Sequence, residues 1–185
     1  MRTLLALLAL TVFQASPRAL AAPAETAYAF SFSSIEGQPL PLSTYRGKAL
    51  LVVNTASFCG FTRQYADLQA VWSRYRDRGL VVLGVPSNDF GNQEPGSEVE
   101  IKQFCEVNFD VDFPLTAKVH VVGEAAHPFY RWAAEAPAGS TPRWNFHKYL
   151  VSPQGELVAS FSTMTSPSAP AVIRAIEANL PAAGG

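Results

Sequence analysis

Two continuous apolar runs, Ala49 to Asn54 and Leu80 to Val85, bracket a stretch of helical periodicity, and no other feature of the chain restricts its fold as strongly. A run that is apolar at every position fits a strand covered on both faces. Between the runs, Tyr65, Leu68, Val71, Trp72 and Tyr75 recur at helical spacing, charged residues take the other side or the last turn, and Gly79 supplies a stop. Strand, helix, strand of these lengths is a βαβ unit, with parallel strands and a right-handed crossover. The loop that carries Cys59 and the loop Ser87 to Gly96 then leave from the same carboxyl edge, where open α/β sheets place their sites.

Cys59 stands where the first apolar run breaks into small polar residues before the helix, in LLVVNTASFCGFTRQY. Unpaired N–H groups and the macrodipole at a helix N-terminus favour a thiolate, the reactive form of cysteine. A free cysteine is also a common buried hydrophobe, so the stretch alone leaves both readings open. In the second loop, Gln93 offers a side-chain donor and acceptor. Ser97 and Glu100 have capping-box spacing and open a helix to about Asn108, in which Ile101, Phe104 and Cys105 share one face; Cys105 is expected inward, as a packed thiol.

Elsewhere, Tyr28 to Ser33 alternates as a half-buried strand, with Leu40 to Leu42 as its returning arm. Phe113 to Val122 reads as extended, His127-Pro128 starts a helix towards Glu135, and Pro170 to Leu180 is a last amphipathic helix. Phe146 to Val151 and Glu156 to Phe161 flank the turn Ser152-Pro-Gln-Gly155 and form a hairpin. Laid antiparallel to the βαβ strands, that hairpin begins at the edge where they end. Trp144 and Asn145, just before it, are thereby brought towards Cys59 and Gln93.

Arg2, the apolar run Leu4 to Phe13 and the small residues Ala19-Leu20-Ala21 have the three-part form of a secretory signal, with cleavage expected after Ala21 and an exported, periplasmic or secreted product. The run is too short to span a bilayer comfortably, so no stable membrane insertion is expected. The division is a signal over 1–21, a flexible tether over 22–27 and one globular domain over 28–181. The mature chain carries 12 Lys and Arg against 15 Asp and Glu, mildly acidic and without a basic tract, which excludes nucleic acid as the expected partner. Two cysteines in an exported chain raise a structural disulfide as an alternative to catalysis.

Asn54-Thr-Ala-Ser-Phe-Cys-Gly-Phe-Thr, Asn88-Asp-Phe-Gly-Asn-Gln-Glu-Pro-Gly96 and Trp144-Asn-Phe-His-Lys-Tyr-Leu-Val151 resemble, in order, the motifs of the cysteine-containing glutathione peroxidase family. The likeness runs through almost the whole chain after the signal segment. It implies an α/β thioredoxin-like fold, a central mixed sheet flanked by helices with an N-terminal β-hairpin. It also implies a thiol-dependent peroxidase that reduces hydrogen peroxide and organic or lipid hydroperoxides through a sulfenic acid. Cys59 is the implied peroxidatic nucleophile, completed to a tetrad by Gln93, Trp144 and Asn145. Cys105 lies in the helix where thioredoxin-using relatives hold a resolving cysteine, and meeting Cys59 requires that helix to unwind locally. Many relatives have cysteine at Ser87 and glutamine at Asp89, so no role carries over to either. No metal or other cofactor is implied; the co-substrate is glutathione or a thioredoxin-like dithiol protein. The short loop Ala136 to Pro142 lacks the insertion of oligomeric relatives, and a monomer is expected. Two other readings compete: a non-catalytic redox-sensing or binding domain with a Cys59–Cys105 disulfide, and a metal site using Cys59 with the scattered His120, His127 or His147.

Overall fold

The computed structural model describes residues 25–182. The expected export signal and residues 22–24 of the expected tether lie outside the described residues. A four-stranded sheet forms the centre, in the order β4 (Leu80–Pro86), β3 (Ala49–Thr55), β5 (Lys148–Val151), β6 (Leu157–Phe161). β3 runs parallel to β4 and antiparallel to β5, and β5 is antiparallel to β6. The mixed sheet arises because one connection is a helical crossover and another a tight turn.

All seven residues of β3 and of β4 are buried, as continuous apolar runs require. Leu51, Val53 and Val82 face α1 (Gln64–Tyr75), α2 (Glu98–Phe109) and α4 (Pro170–Asn179). Leu50, Val52, Val81 and Leu83 point the other way, against the N-terminal segment and α3 (Pro128–Glu135). The helix ends follow local chemistry. Gly79 closes the crossover with φ +89°, and Ser97 with Glu100 forms a complete capping box. His127 caps α3, with Pro128 in the first turn.

The N-terminal strand is shorter than its alternation suggests. Residues Ala27–Ala29 coil into a 3₁₀ turn, and only Ser31–Ser33 (β1) pairs with Pro39–Pro41 (β2). The reason is tertiary: the Ala27 N–H donates to the Gly155 carbonyl and the Tyr28 hydroxyl to the Pro153 carbonyl, drawing the segment onto the β5–β6 turn. Ala27, the last residue of the expected tether, is fully buried. The extended stretch after α2 forms no regular strand. It lies along the free edge of β4, where Gly84 N–H donates to Pro114 O and Thr116 N–H to Gly84 O. A Cβ at Gly84 would stand 2.5 Å from the Leu115 side chain and 3.2 Å from that of Phe113, so glycine lets these side chains lie against the strand.

Candidate active site

β3 ends at Thr55, and the chain makes a series of turns before α1 begins at Gln64. Thr62 organises them. Its Oγ1 accepts from the Cys59 N–H at 3.0 Å and has the Cys59 and Ala56 carbonyls within donating reach, at 2.7 and 3.0 Å. This folds Gly60 and Phe61 around the thiol, and the Phe61 N–H donates to Cys59 Sγ at 3.4 Å. The donor to sulfur is thus a turn amide, three residues short of the helix whose N-terminus the sequence suggested. Cys59 is 8% exposed, with Phe58 beside it 66% exposed.

The β4 loop reaches the same place. Phe58 N–H donates to the Gln93 carbonyl at 3.0 Å, tying the two loops together. Gly91 and Asn92 both take positive φ, and the Gln93 side chain folds back over Gly91, with its Nε2 3.5 Å from where a Cβ would stand. Asp89 anchors this loop: its carboxylate accepts from the Val121 and Val122 N–H groups and pairs with His120 at 2.6 Å. Burial would push its carboxyl up, but the Val121 and Val122 amides and His120 outweigh that and hold it below its usual range.

The third strand of chain arrives from the start of β5. Asn145, fully buried, donates from Nδ2 to Gln93 Oε1 at 3.0 Å, so the two amides expected to meet do so. Trp144 is 37% exposed and packs on Phe90 with ring centroids 5.8 Å apart. Among the described residues, Gln93, Trp144 and Asn145 make no hydrogen bond to Cys59 Sγ; they surround the thiol's loop rather than bind the sulfur. Phe61 and Trp144 also line a mainly apolar groove of about 550 Å³ with Met164 and Arg143.

Three residues that hold this arrangement escaped sequence reasoning. Asn54 donates from Nδ2 to the Trp144 carbonyl at 3.1 Å and accepts the His147 N–H at 3.0 Å, bracketing Asn145 and the left-handed Phe146 (φ +61°). Thr163 donates to the Asn145 carbonyl at 2.7 Å. Lys148, fully buried, holds the Ser162 and Thr165 carbonyls on either side of Thr163. Burial pushes its ammonium down to about 7, against the pull of Asp67. Asn54 and Lys148 did leave a signal: Asn54 is the polar residue that closes an otherwise apolar run, and Lys148 is a charged residue in an arm of the expected hairpin.

Cys105 faces inward, as its helix position implies, and is fully buried against α1 and β3. Burial pushes its thiol up to about 11. Both cysteines are free thiols, so the disulfide of the non-catalytic reading is not formed. The histidines do not gather at Cys59. His120 pairs with Asp89, His127 caps α3 and contacts the Ser31 carbonyl, and His147 is held near Tyr149. Among the described residues, no group of three or more His, Cys, Asp or Glu is placed to hold a metal ion.

Residues 27–134 match the family described as glutathione peroxidase. The hydroperoxy fatty acid reductase gpx1 of Synechocystis sp. is 46% identical over 151 residues, covering 77% of this chain and 89% of that protein. The glutathione peroxidase-like peroxiredoxin gpx1 of Schizosaccharomyces pombe is 47% identical over 135 residues, covering 71% and 85%. Among solved structures, the apo form of Trgpx superposes with a TM-score of 0.66 at 34% identity, over 84% of this chain and 97% of that one. The mixed sheet with helices on both faces is the thioredoxin-like fold of these relatives. With its three motifs converging on one sheet edge, the chain belongs to the glutathione peroxidase family and is a thiol-dependent peroxidase.

Proposed function

We propose that Cys59 is the peroxidatic nucleophile of an exported, monomeric enzyme, and that Gln93, Trp144 and Asn145 assist it. The observation that carries this reading is the Asn145–Gln93 amide pair at 3.0 Å, beside a sulfur already receiving the Phe61 N–H. The Cys59 thiolate attacks the distal peroxide oxygen. The S–O bond forms as the O–O bond breaks, and the departing alkoxide leaves as an alcohol once protonated. Gln93 and Trp144 supply neutral N–H donors for the peroxide oxygens.

Cys105 then resolves the sulfenic acid, forming a Cys59–Cys105 disulfide and water, and a thioredoxin-like dithiol protein reduces that disulfide. Glutathione is the alternative reductant. The substrates are hydrogen peroxide and organic or lipid hydroperoxides. The name of the Synechocystis relative and the apolar groove beside Trp144 support the lipid class. The test is peroxide consumption by the mature protein with each reductant. Consumption that survives Cys59→Ser overturns the assignment. Export is checked by N-terminal sequencing of the protein recovered outside the cytoplasm, expected to begin at Ala22.

A further inference from the structure

Glu94 is the one fully buried carboxylate among the described residues, and neither of its oxygens makes a well-formed hydrogen bond; the Ser57 hydroxyl and N–H are the nearest donors. Burial with so little hydrogen bonding is costly for a carboxylate and calls for an explanation. Glu94 lies on the wall of a cavity of about 420 Å³ between the Cys59 loop, represented by Ser57 and Phe58, and α2, represented by Ile101 and Phe104. The residue before each cysteine meets the other across this gap: the Phe58 and Phe104 rings are 6.2 Å apart. The carboxylate therefore sits at the junction the two sulfurs must cross to bond.

The groups around it are few. Ser57 is beside the carboxyl; Lys118 is near it, with its ammonium committed to the Glu94 and Gly96 carbonyls; Tyr65 and Cys105 face it from α1 and α2. Glu106 also faces Cys105 but is exposed on the outer side of α2. Tyr65 is no base, since burial raises its hydroxyl well above the ordinary range. The three histidines stand elsewhere, and Glu100 is tied into the Ser97 cap.

We propose that Glu94 is the general base of the resolving step. As Cys105 Sγ attacks the Cys59 sulfenic sulfur, the S–S bond forms and the S–OH bond breaks. The Cys105 proton passes to the Glu94 carboxylate, and the departing hydroxide takes up that proton to leave as water. The inference rests on Cys105 being the resolver. The ionisation states suit the transfer. Burial lifts the Glu94 carboxyl to about 7, against Ser57 and Lys118, so the group is partly ionised near neutrality, while the buried Cys105 thiol at about 11 needs a base.

The test mixes the reduced mature protein with one equivalent of hydrogen peroxide and follows quenched samples by intact mass, with a dimedone trap, from pH 5.5 to 8.5. Wild type is expected to lose two hydrogens, with a disulfide-forming rate that rises through pH 7. In Cys105→Ser the sulfenic acid persists; a disulfide-type mass loss there overturns the resolver assignment, and Glu94 with it. In Glu94→Gln, Cys59 oxidation stays within about twofold of wild type while disulfide formation slows at least tenfold and loses its rise near pH 7. Glu94→Asp, which keeps the carboxylate, recovers part of the rate. A Glu94→Gln protein that is folded, at least as stable as wild type, and forms the disulfide at the wild-type rate overturns the proposal. So does a parallel loss of both steps in Glu94→Gln and Glu94→Asp, which marks Glu94 as a structural support of the Cys59 loop.

Discussion

The two cysteines are nearly equal in exposure, at 8% for Cys59 and 0% for Cys105, yet their surroundings have little in common. Cys59 lies in a turn whose backbone is cross-braced by Thr62, receives the Phe61 amide and has an exposed aromatic neighbour. Cys105 sits in a regular helix against apolar side chains, with no backbone N–H turned towards it. Burial alone therefore does not distinguish the proposed peroxidatic thiol from the proposed resolving one. The direction of nearby N–H groups, and whether the backbone is already committed to a helix, does so.

The contrast predicts its largest effect at the sulfurs themselves. Cys59→Ser lowers turnover at least ~10³-fold, whereas Cys105→Ser leaves the first stoichiometric oxidation of Cys59 intact in a single-turnover assay. Equal losses in both steps would erase the distinction. The next effect lies behind the site. Asn54→Leu removes both bonds bracketing Asn145 and strands two backbone groups, costing about 2–4 kcal/mol in denaturant unfolding and about 10–100-fold in the peroxide step. The same variant is expected to leave Cys105 alkylation in unfolded protein unchanged.

Glu94 lines the cavity between the Cys59 loop and α2 and gives the comparison a pH signature. Its folded carboxyl titrates near 7, above the ordinary 4.5, so between these values the folded protein holds a proton that the unfolded chain has lost. Stability contributed by this group is full below about 4.5 and falls as pH rises to 7. Glu94→Gln removes that fall, gaining about 3 kcal/mol over wild type between pH 4.5 and 7.5 in urea titrations. His147, which burial holds near 4, acts with the opposite sign over part of this window, so the difference between variant and wild type is the quantity to read. The smallest effect is Thr62→Val, which unties the Cys59 turn. About 1–2 kcal/mol and a several-fold slower iodoacetamide reaction at Cys59 are expected, with Cys105 unaffected.

Much of this was legible in the chain because it is written in local patterns. The buried strands follow from uninterrupted apolar runs, α1 from its periodicity, α2 from its capping box, and the approach of Asn145 to Gln93 from strand direction. The bracing was not legible. Asn54 to Trp144, Gln64 to Thr163 and Thr163 to Asn145 join residues far apart in sequence, and nothing local to either partner specifies such a pair. Tyr28 misled for the same reason, since its anchor on Pro153 outweighs the alternation around it. The left-handed Phe146 carries no glycine or asparagine to announce it; Asn54 and the Phe146 N–H bond to the Asn54 carbonyl impose it from outside.

The seating of residues 113–116 on Gly84 has a consequence for solubility. β4 is the outermost strand on its side of the sheet, and an unclothed outer strand of seven apolar residues is a template onto which another molecule can add its own. The irregular segment occupies those backbone groups without offering a regular strand in turn, so sheet growth stops there. A side chain at Gly84 would press on Leu115 and Phe113 and loosen the segment's hold on the strand, so Gly84→Val is expected to aggregate more readily than wild type on refolding, read as turbidity.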